Sequence, residues 1–487
     1  MTVTPPKTAR PLLIGSQWSD ADRPSIEVFN PATGRVIADV PEATLADADA
    51  AMEAAHLAFV NETWSKTSFT ERAAILERVA DELEARASEL ADLYVQDLGG
   101  VAMFAPHITA QAVLVLRGTA ELADKLSAEP EVRETVSGQA LIYREPMGPV
   151  VAVVPWNAPL VLTMVKIAPA LLAGCPVVVK VDPVAPLVSQ VLADIFASLD
   201  LPAGVISFLP GGRQLGEHLV SHPRTAHVSF TGSTTSGQNV LRASAHHFAR
   251  TTLELGGKSA AIVLDDIEPS AAIPMLVGAC LAQSGQVCTT SSRVLVPASR
   301  KDEWIAALTA AFSSLPVGDP ADPQTVIGPL ATSAQRDRVE GFIAQARSEG
   351  ATVLTGGGRP SGHEDGYFVE PTLITDVTND MQIVRDEVFG PVIVVQTYRD
   401  DDEAVDITND TIYGLANGVF GHDLERAGSI ARRLRSGTVN VNGSGANLTA
   451  PFGGYKASGI GREGGIESVY SFLELKQVNV AQPLATS

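Results

Sequence analysis

The chain has 487 residues, a length that exceeds one simple hydrophobic core and implies two or three domains. Its composition is 45% hydrophobic and 19% charged, with a mean hydropathy of +0.14, which excludes the disordered and fibrous classes. A formal net charge of −21 repels phosphate backbones and anionic headgroups, so no nucleic-acid or membrane partner is expected.

In chain order, residues 1–10 lack the apolar run of a signal peptide. After Thr44 the first hundred residues read as mostly helical. Residues 133–143 have strand character and stand apart. Residues 146–165 carry no charged side chain over a length that could span a bilayer, but Pro149, Pro155 and Pro159 interrupt them. Buried strands and short helices are expected there instead. From Gly148 onward, apolar runs at 150–154, 176–180, 205–209, 227–230 and 252–255 read as strands, with helices at 160–172 and 187–199. Strands apolar on both faces and separated by helices imply a parallel sheet covered on both sides. The pattern restarts at 260–264 and passes a long helix ending at Gln283. It resumes at 293–296, 392–395 and 438–441, with helices at 335–349 and 424–434. The expected fold class is α/β, with two Rossmann-like parallel-sheet domains meeting near Gly256–Gly257. Residues 133–143 and 469–480 would form a small β-strand arm.

Three cysteines, Cys175, Cys280 and Cys288, cannot all pair, which suits a reducing cytoplasm. Cys175 and Cys280 sit in apolar segments that suit packing. Cys288, in Ser-Gly-Gln-Val-Cys-Thr-Thr, is surrounded by small polar residues between a helix and a strand, which suits an accessible thiolate. Glu254 closes an apolar strand before Gly256 and Gly257, the place where an open α/β sheet faces its ligand crevice. The bland reading is a surface glutamate paired with a lysine. Asn157, in Pro-Trp-Asn-Ala-Pro, either caps the next helix or offers its amide to a developing oxyanion. Two phosphate-loop patterns are decoys. Gly459-Ile-Gly-Arg-Glu-Gly464 has no strand before it and only a short tail after it. Gly257-Lys258-Ser259 would need its first glycine where Thr252 stands.

Taken together, these segments resemble the aldehyde dehydrogenase superfamily over nearly the whole chain. The matching motifs, in the family's order, are PWNAPL (155–160), FTGST (230–234), ELGGK (254–258), GQVC (285–288), EVFGPV (387–392) and PFGGYKASGIGRE (451–463). The resemblance implies oxidation of an aldehyde to a carboxylic acid with NAD(P)+ through a thiohemiacetal and thioester on Cys288. Asn157 and the Cys288 backbone N–H would hold the oxyanion, Glu254 would activate water, and Lys166 with Glu463 would relay protons. It places Trp156, Lys180, Gly211, Gly232, Ser233, Leu255, Gly256, Gln335, Glu387 and Phe389 around the dinucleotide. It places Ala158, Leu162, Val287, Thr289, Ala446 and Phe452 around the substrate, with Val161 and Val165 nearby. No metal is expected. Small aliphatic residues at these wall positions imply a roomy tunnel for bulky or long apolar aldehydes, unless neighbouring loops refill it. Where the family often reads Lys-Pro-x-Glu, this chain has Lys180-Val181-Asp182-Pro183. NAD is expected, and NADP stays open because the ribose-binding glutamate is missing.

The implied division is a dinucleotide-binding domain of residues 1–123 and 147–256 and a catalytic domain of 257–457. Residues 124–146 and 458–487 would form an oligomerisation arm and tail, building a homodimer or homotetramer in the cytoplasm. A CoA-acylating semialdehyde dehydrogenase and a cysteine hydrolase on the same scaffold are the rival readings. The first does not need Glu254, and the second would need a histidine near Cys288.

Overall fold

Two large parallel sheets carry the architecture, as the alternation of apolar strands and helices predicts. The computed structural model describes residues 11–20, 22–136, 138–443, 447 and 449–481. In the first sheet, Arg250–Glu254, His227–Thr231, Val150–Val153, Val177–Val181 and Ile206–Pro210 lie side by side in parallel. Leu12–Ile14 and Gln17–Ser19 extend one edge, and Gly459–Ile460 pairs antiparallel with the other. One face packs Val150, Ala152, Val177 and Val179 beneath the helix Pro159–Ala173. The other packs Val151, Val153, Val178 and Phe230 against the helix Leu45–Val60. That helix starts at Thr44 because Thr44 Oγ1 accepts the Asp47 N–H while the Asp47 carboxylate accepts the Thr44 N–H.

The second sheet runs Thr352–Thr355, Thr372–Thr375, Val392–Tyr398, Ser291–Pro297, Ser259–Val263, Ala416–Phe420 and Thr438–Val441. Only its Thr352–Thr355 edge is antiparallel. Ala416–Phe420 is not expected from its sequence, Ala-Asn-Gly-Val-Phe, which has poor strand formers. Its neighbours settle the conformation: Asn417 Oδ1 accepts the Ala260 N–H at 2.8 Å, and Asn417 Nδ2 donates to Ser436 Oγ at 3.0 Å.

Each sheet contains a reversal of strand order. In the first, the chain steps from Val150–Val153 outward to Ile206–Pro210, then returns to His227–Thr231 on the other side of Val150–Val153. A crevice opens between the carboxyl ends of those two strands, where open α/β sheets bind ligands. The second sheet reverses between Ser259–Val263 and Ala416–Phe420.

A separate three-stranded sheet pairs Glu131–Thr135, Gly138–Pro146 and Leu473–Ala481. The arm is therefore shorter than the sequence suggests. Gly459–Ile460 belongs to the first sheet, and the helix Gly465–Tyr470 buries Val469 in that sheet's core, followed by Phe472. Apolar residues Ile466, Val469 and Phe472 recur at helical spacing, which is why this segment docks rather than extends. Among the described residues, no helix is long and apolar enough to cross a membrane.

Candidate active site

The carboxyl end of strand Arg250–Glu254 delivers Glu254 into the interior, where it is 3% exposed. Neither carboxylate oxygen meets a donor among the described residues, and a Cβ on Gly453 would stand 2.6 Å from Oε1. Burial, and after it the charge of Glu463, push the Glu254 carboxyl well above its ordinary range, with Lys166 and Arg462 pulling the other way. Beneath it, Lys166 Nζ donates to Glu463 Oε1 at 2.6 Å, and both side chains are buried.

Cys288 arrives from the other side, on the loop that enters strand Ser291–Pro297. Gln283, Ser284 and Gly285 have φ of 50°, 55° and 74°, a left-handed run that only surrounding contacts can hold. At Gly285 a Cβ would stand 2.1 Å from Gly390 O, so no side chain fits. Gln286 pins the loop: its Oε1 accepts the Ala331 N–H at 3.0 Å and its Nε2 donates to Gln283 O at 3.2 Å. Thr290 closes the turn around Cys288, donating from N and Oγ1 to Val287 O at 3.0 and 2.6 Å. Cys288 keeps partial exposure, whereas Cys175 and Cys280 are buried. Burial, then the charges of Glu387 and Glu254, push the Cys288 thiol up to about 12.

The seam between the sheets joins the two walls. A Cβ on Gly257 would stand 2.8 Å from Cys288 O, and one on Gly256 would stand 2.3 Å from Glu387 Oε2. The Gly257 N–H donates to Glu387 Oε1 at 3.0 Å. These glycines are required because the Cys288 loop and the Glu387 carboxylate press directly on the backbone. Ser458 ties in the third segment: its Oγ donates to Gly256 O at 2.7 Å and accepts the Gly414 N–H at 2.9 Å. The next two residues, Gly459 and Ile460, which open the phosphate-loop decoy, form the edge strand beside Glu254. Asn157 is buried after strand Val150–Val153, and its Nδ2 donates to Gln286 O at 3.0 Å, which leaves its second amide hydrogen for a ligand.

Comparison with known proteins decides the family: the aldehyde dehydrogenase family model matches residues 18–478. The chain belongs to the aldehyde dehydrogenase family. It is 42% identical over 470 residues to a geranial dehydrogenase of Castellaniella defragrans, covering 96% of this chain and 98% of that protein. A crystal structure of a Mycobacterium tuberculosis aldehyde dehydrogenase complexed with NAD+ superposes with a TM-score of 0.93 at 42% identity, covering 99% of each chain. A Pseudomonas syringae aldehyde dehydrogenase C variant, a cysteine-to-alanine mutant complexed with NAD+ and octanal, gives 0.92 at 38% identity over 98% of each chain. The protein is thus an NAD(P)-dependent oxidoreductase of aldehydes.

An aldehyde dehydrogenase must hold a dinucleotide, and the residues around the first crevice fit one. Ser233 caps the helix Thr234–Ser244 by accepting the Ser236 N–H at 3.2 Å, and this helix N-terminus opens at the crevice. A Cβ on Gly232 would meet the Phe230 ring at 2.6 Å, and one on Gly211 would meet Leu215 at 2.5 Å, so a side chain at either would require its neighbour to shift. Leu255 is buried against Gly237. Lys180 is buried beside Asp182, and burial pushes the lysine down and the aspartate up. Asp182 Oδ1 accepts the Val184 N–H at 3.0 Å. Trp156 and Phe389 meet edge to face at 5.5 Å between centroids. Gln335 acts one step back, donating from Nε2 to Val388 O and Phe389 O at 3.1 and 2.8 Å. It thereby positions the segment carrying Glu387, whose carboxyl burial pushes up to about 6.

Of the residues expected around the substrate, Ala158, Leu162, Val287, Thr289 and Phe452 keep partial exposure. Val161 and Val165 are buried in the core beneath the first sheet. Ala446 lies outside the described residues. Phe452 exchanges backbone hydrogen bonds with Glu463 at 2.6 and 2.8 Å, which ties the two segments together. Sequence reading also took 227–230 and 252–255 as apolar on both faces. In the structure one face carries His227, Ser229 and Thr231 in register with Arg250, Thr252 and Glu254. The alternation in His-Val-Ser-Phe-Thr and Arg-Thr-Thr-Leu-Glu is the period-2 signal that reveals it.

Proposed function

We propose that this aldehyde dehydrogenase works through Cys288, Asn157 and Glu254, prefers NAD to NADP, and takes bulky or long apolar aldehydes. The observation that carries the reading is the meeting of two walls at Gly256–Gly257, with Glu254 on the strand before the seam and the Cys288 carbonyl pressed on Gly257. The Cys288 thiol gives up its proton to solvent and its sulfur adds to the aldehyde carbon. The Asn157 amide and the Cys288 N–H hold the oxygen of the thiohemiacetal, each donor being worth roughly 3 kcal/mol. NAD(P)+, when bound, supplies the hydride acceptor that leaves a thioester on sulfur. Ser233 at its helix start suits the pyrophosphate, and Glu387 suits the ribose hydroxyls. Glu254 then takes a proton from water as the oxygen adds to the thioester carbon. The C–S bond breaks and the acid leaves.

The sheets support a division into a dinucleotide-binding unit of residues 1–123 and 147–256 and a catalytic unit of 257–457. The three-stranded arm leaves Val132, Leu475 and Val480 exposed, which supports a homodimer or homotetramer. A cytoplasmic location agrees with the free thiols. The substrate reading draws on the small side chain of Ala158, on Leu162, and on relatives named for geranial and bound to octanal. It is tested by kcat/KM for acetaldehyde, decanal and a cyclic aldehyde, each with NAD and with NADP. A preference for acetaldehyde ends the substrate assignment, and a preference for NADP ends the cofactor assignment.

A further inference from the structure

Between Gly257 and the strand Ser259–Val263 stands Lys258, a lysine only 2% exposed. Among the described residues its ammonium makes no ion pair and no hydrogen bond. Lys166, buried as deeply, is met by Glu463 at 2.6 Å. A buried cation without a partner is strongly disfavoured unless a nearby charge compensates it. Arg293 adds to the excess. It is buried beside Lys258, donating from Nε to Lys258 O at 3.0 Å, and its other donors go to Ile407 O and Thr408 O rather than to a carboxylate. The compensating charge lies at the crevice. The Glu387 carboxylate rests on the backbone just before Lys258, with Oε1 accepting the Gly257 N–H at 3.0 Å and Oε2 standing 2.3 Å from where a Cβ on Gly256 would be. Glu387 keeps partial exposure, whereas Lys258 is enclosed.

We propose that Lys258 is a positioning residue for Glu387: its unpaired ammonium keeps that carboxylate ionised at the crevice and so sets how tightly the nicotinamide ribose is held. The proposal rests on Glu387 accepting from the ribose hydroxyls. An ionised carboxylate can accept from both, whereas a protonated one gives part of that capacity to its own proton. The electrostatics agree in sign. Burial pushes the Glu387 carboxyl up to about 6, while the Gly257 N–H, then Lys258 and Arg338, pull it back. Burial and then Arg293 push Lys258 down to about 7, while Glu387 and Asp386 pull it up. The two groups are therefore charged together only in a narrow window near neutral pH. The charged groups facing the pair are Arg293 from strand Ser291–Pro297, Asp386 beside Glu387, and Arg338 from the helix Ser333–Ser348. The Cys288 thiol and the Tyr413 hydroxyl also face Glu387, and both are pushed up, so they stay neutral through that window.

The test reads binding, without aldehyde. NAD+ and ADP, which lacks the second ribose, are titrated calorimetrically from about pH 5.5 to about pH 8, the range in which both groups ionise. Affinity for NAD+ should fall as pH drops through the Glu387 value, because protonation removes an acceptor. Lys258→Met and Lys258→Gln should each move that midpoint up by about one pH unit, weakening NAD+ about tenfold below it and leaving ADP within about twofold. Lys258→Arg keeps the charge and should hold the midpoint near that of the wild type. Glu387→Gln should lose the pH dependence, and adding Lys258→Met to it should change NAD+ binding no further. An unmoved midpoint in both neutral variants overturns the proposal. Equal weakening of ADP and NAD+ overturns it too, since the lysine would then act on the phosphates or on the fold rather than on Glu387. If Glu387→Gln binds NAD+ as the wild type does, with its pH dependence intact, the ribose role of Glu387 fails first, and the role of Lys258 with it.

Discussion

In the first sheet the crevice between Val150–Val153 and His227–Thr231 opens at strand carboxyl ends, with Trp156, Asn157, Gly232 and Ser233 around it. In the second sheet the corresponding crevice, between Ser259–Val263 and Ala416–Phe420, is filled by the chain itself. Asp266 Oδ1 accepts the His422 N–H at 3.2 Å, and Oδ2 accepts the Asp423 N–H at 2.8 Å. The second sheet serves the site from its opposite end. Cys288 precedes Ser291–Pro297, Glu387 precedes Val392–Tyr398, and Gly257 precedes Ser259–Val263. Topology thus offers two reversals of strand order, and at the second Asp266 ties the ends of the two strands together. A strand end gives Glu254 a rigid seat, whereas Cys288 sits on a loop that Gln286 and Thr290 pin.

The sharpest break comes from the residues that face each other across the seam. Cys288→Ala should abolish both turnover and any burst of NADH, measured by stopped flow. Glu254→Gln should keep a burst of one equivalent of NADH per site while turnover falls by ~10²–10⁴, the usual worth of a positioned proton-transfer group. Loss of that burst would move Glu254 from hydrolysis to the earlier step. The pH dependence follows from the raised Glu254 pKa. The ionised base grows as pH rises through that value, so wild-type hydrolysis should speed up with pH, and the glutamine variant should stay flat. Stability runs the other way. The folded protein holds this proton more tightly than the unfolded chain, so ionising Glu254 costs stability as pH climbs above the ordinary glutamate range, and Glu254→Gln should remove that slope in thermal melts.

Asn157 comes next. Asn157→Ala removes the oxyanion donor and the bond to Gln286 O that steadies the cysteine loop. The burst rate should fall by ~10²–10³, as for other single oxyanion donors. An equally large fall in Asn157→Asp, which can accept but not donate, would assign the effect to donation. An aspartate variant close to wild type would leave Asn157 a structural role only.

The parallel strands were legible because Val150–Val153 and Val177–Val181 are continuous β-branched runs, which only a sheet covered on both faces accommodates. The motif residues were legible through their resemblance to a family. Ala416–Phe420 was not, since Asn417 and Gly418 disfavour a strand until Ala260 and Ser436 supply partners from other segments. The environment of the Cys288 thiol was not legible, because its local neighbours are small and polar, while what raises it is burial and then the charges of Glu387 and Glu254, which come from distant positions. Gln335 shows the same limit: resemblance sets it near the dinucleotide, and only the fold shows its amide spent on the Val388 and Phe389 carbonyls.

The smallest effect tests the filled crevice. Asp266→Ala leaves the His422 and Asp423 amides without their acceptor at the start of the helix Leu424–Arg433, which should cost about 1–3 kcal/mol. Asp266→Asn keeps acceptor oxygen and should fall between. Because this end of the second sheet points away from Cys288 and Glu254, kcat/KM should stay within about twofold of wild type, well below the tenfold that corresponds to ~1.4 kcal/mol. Thermal melts and aldehyde kinetics on the same samples separate the two outcomes. If kcat/KM drops with stability unchanged, the second crevice takes part in the reaction, and the contrast between an open and a filled sheet end is wrong.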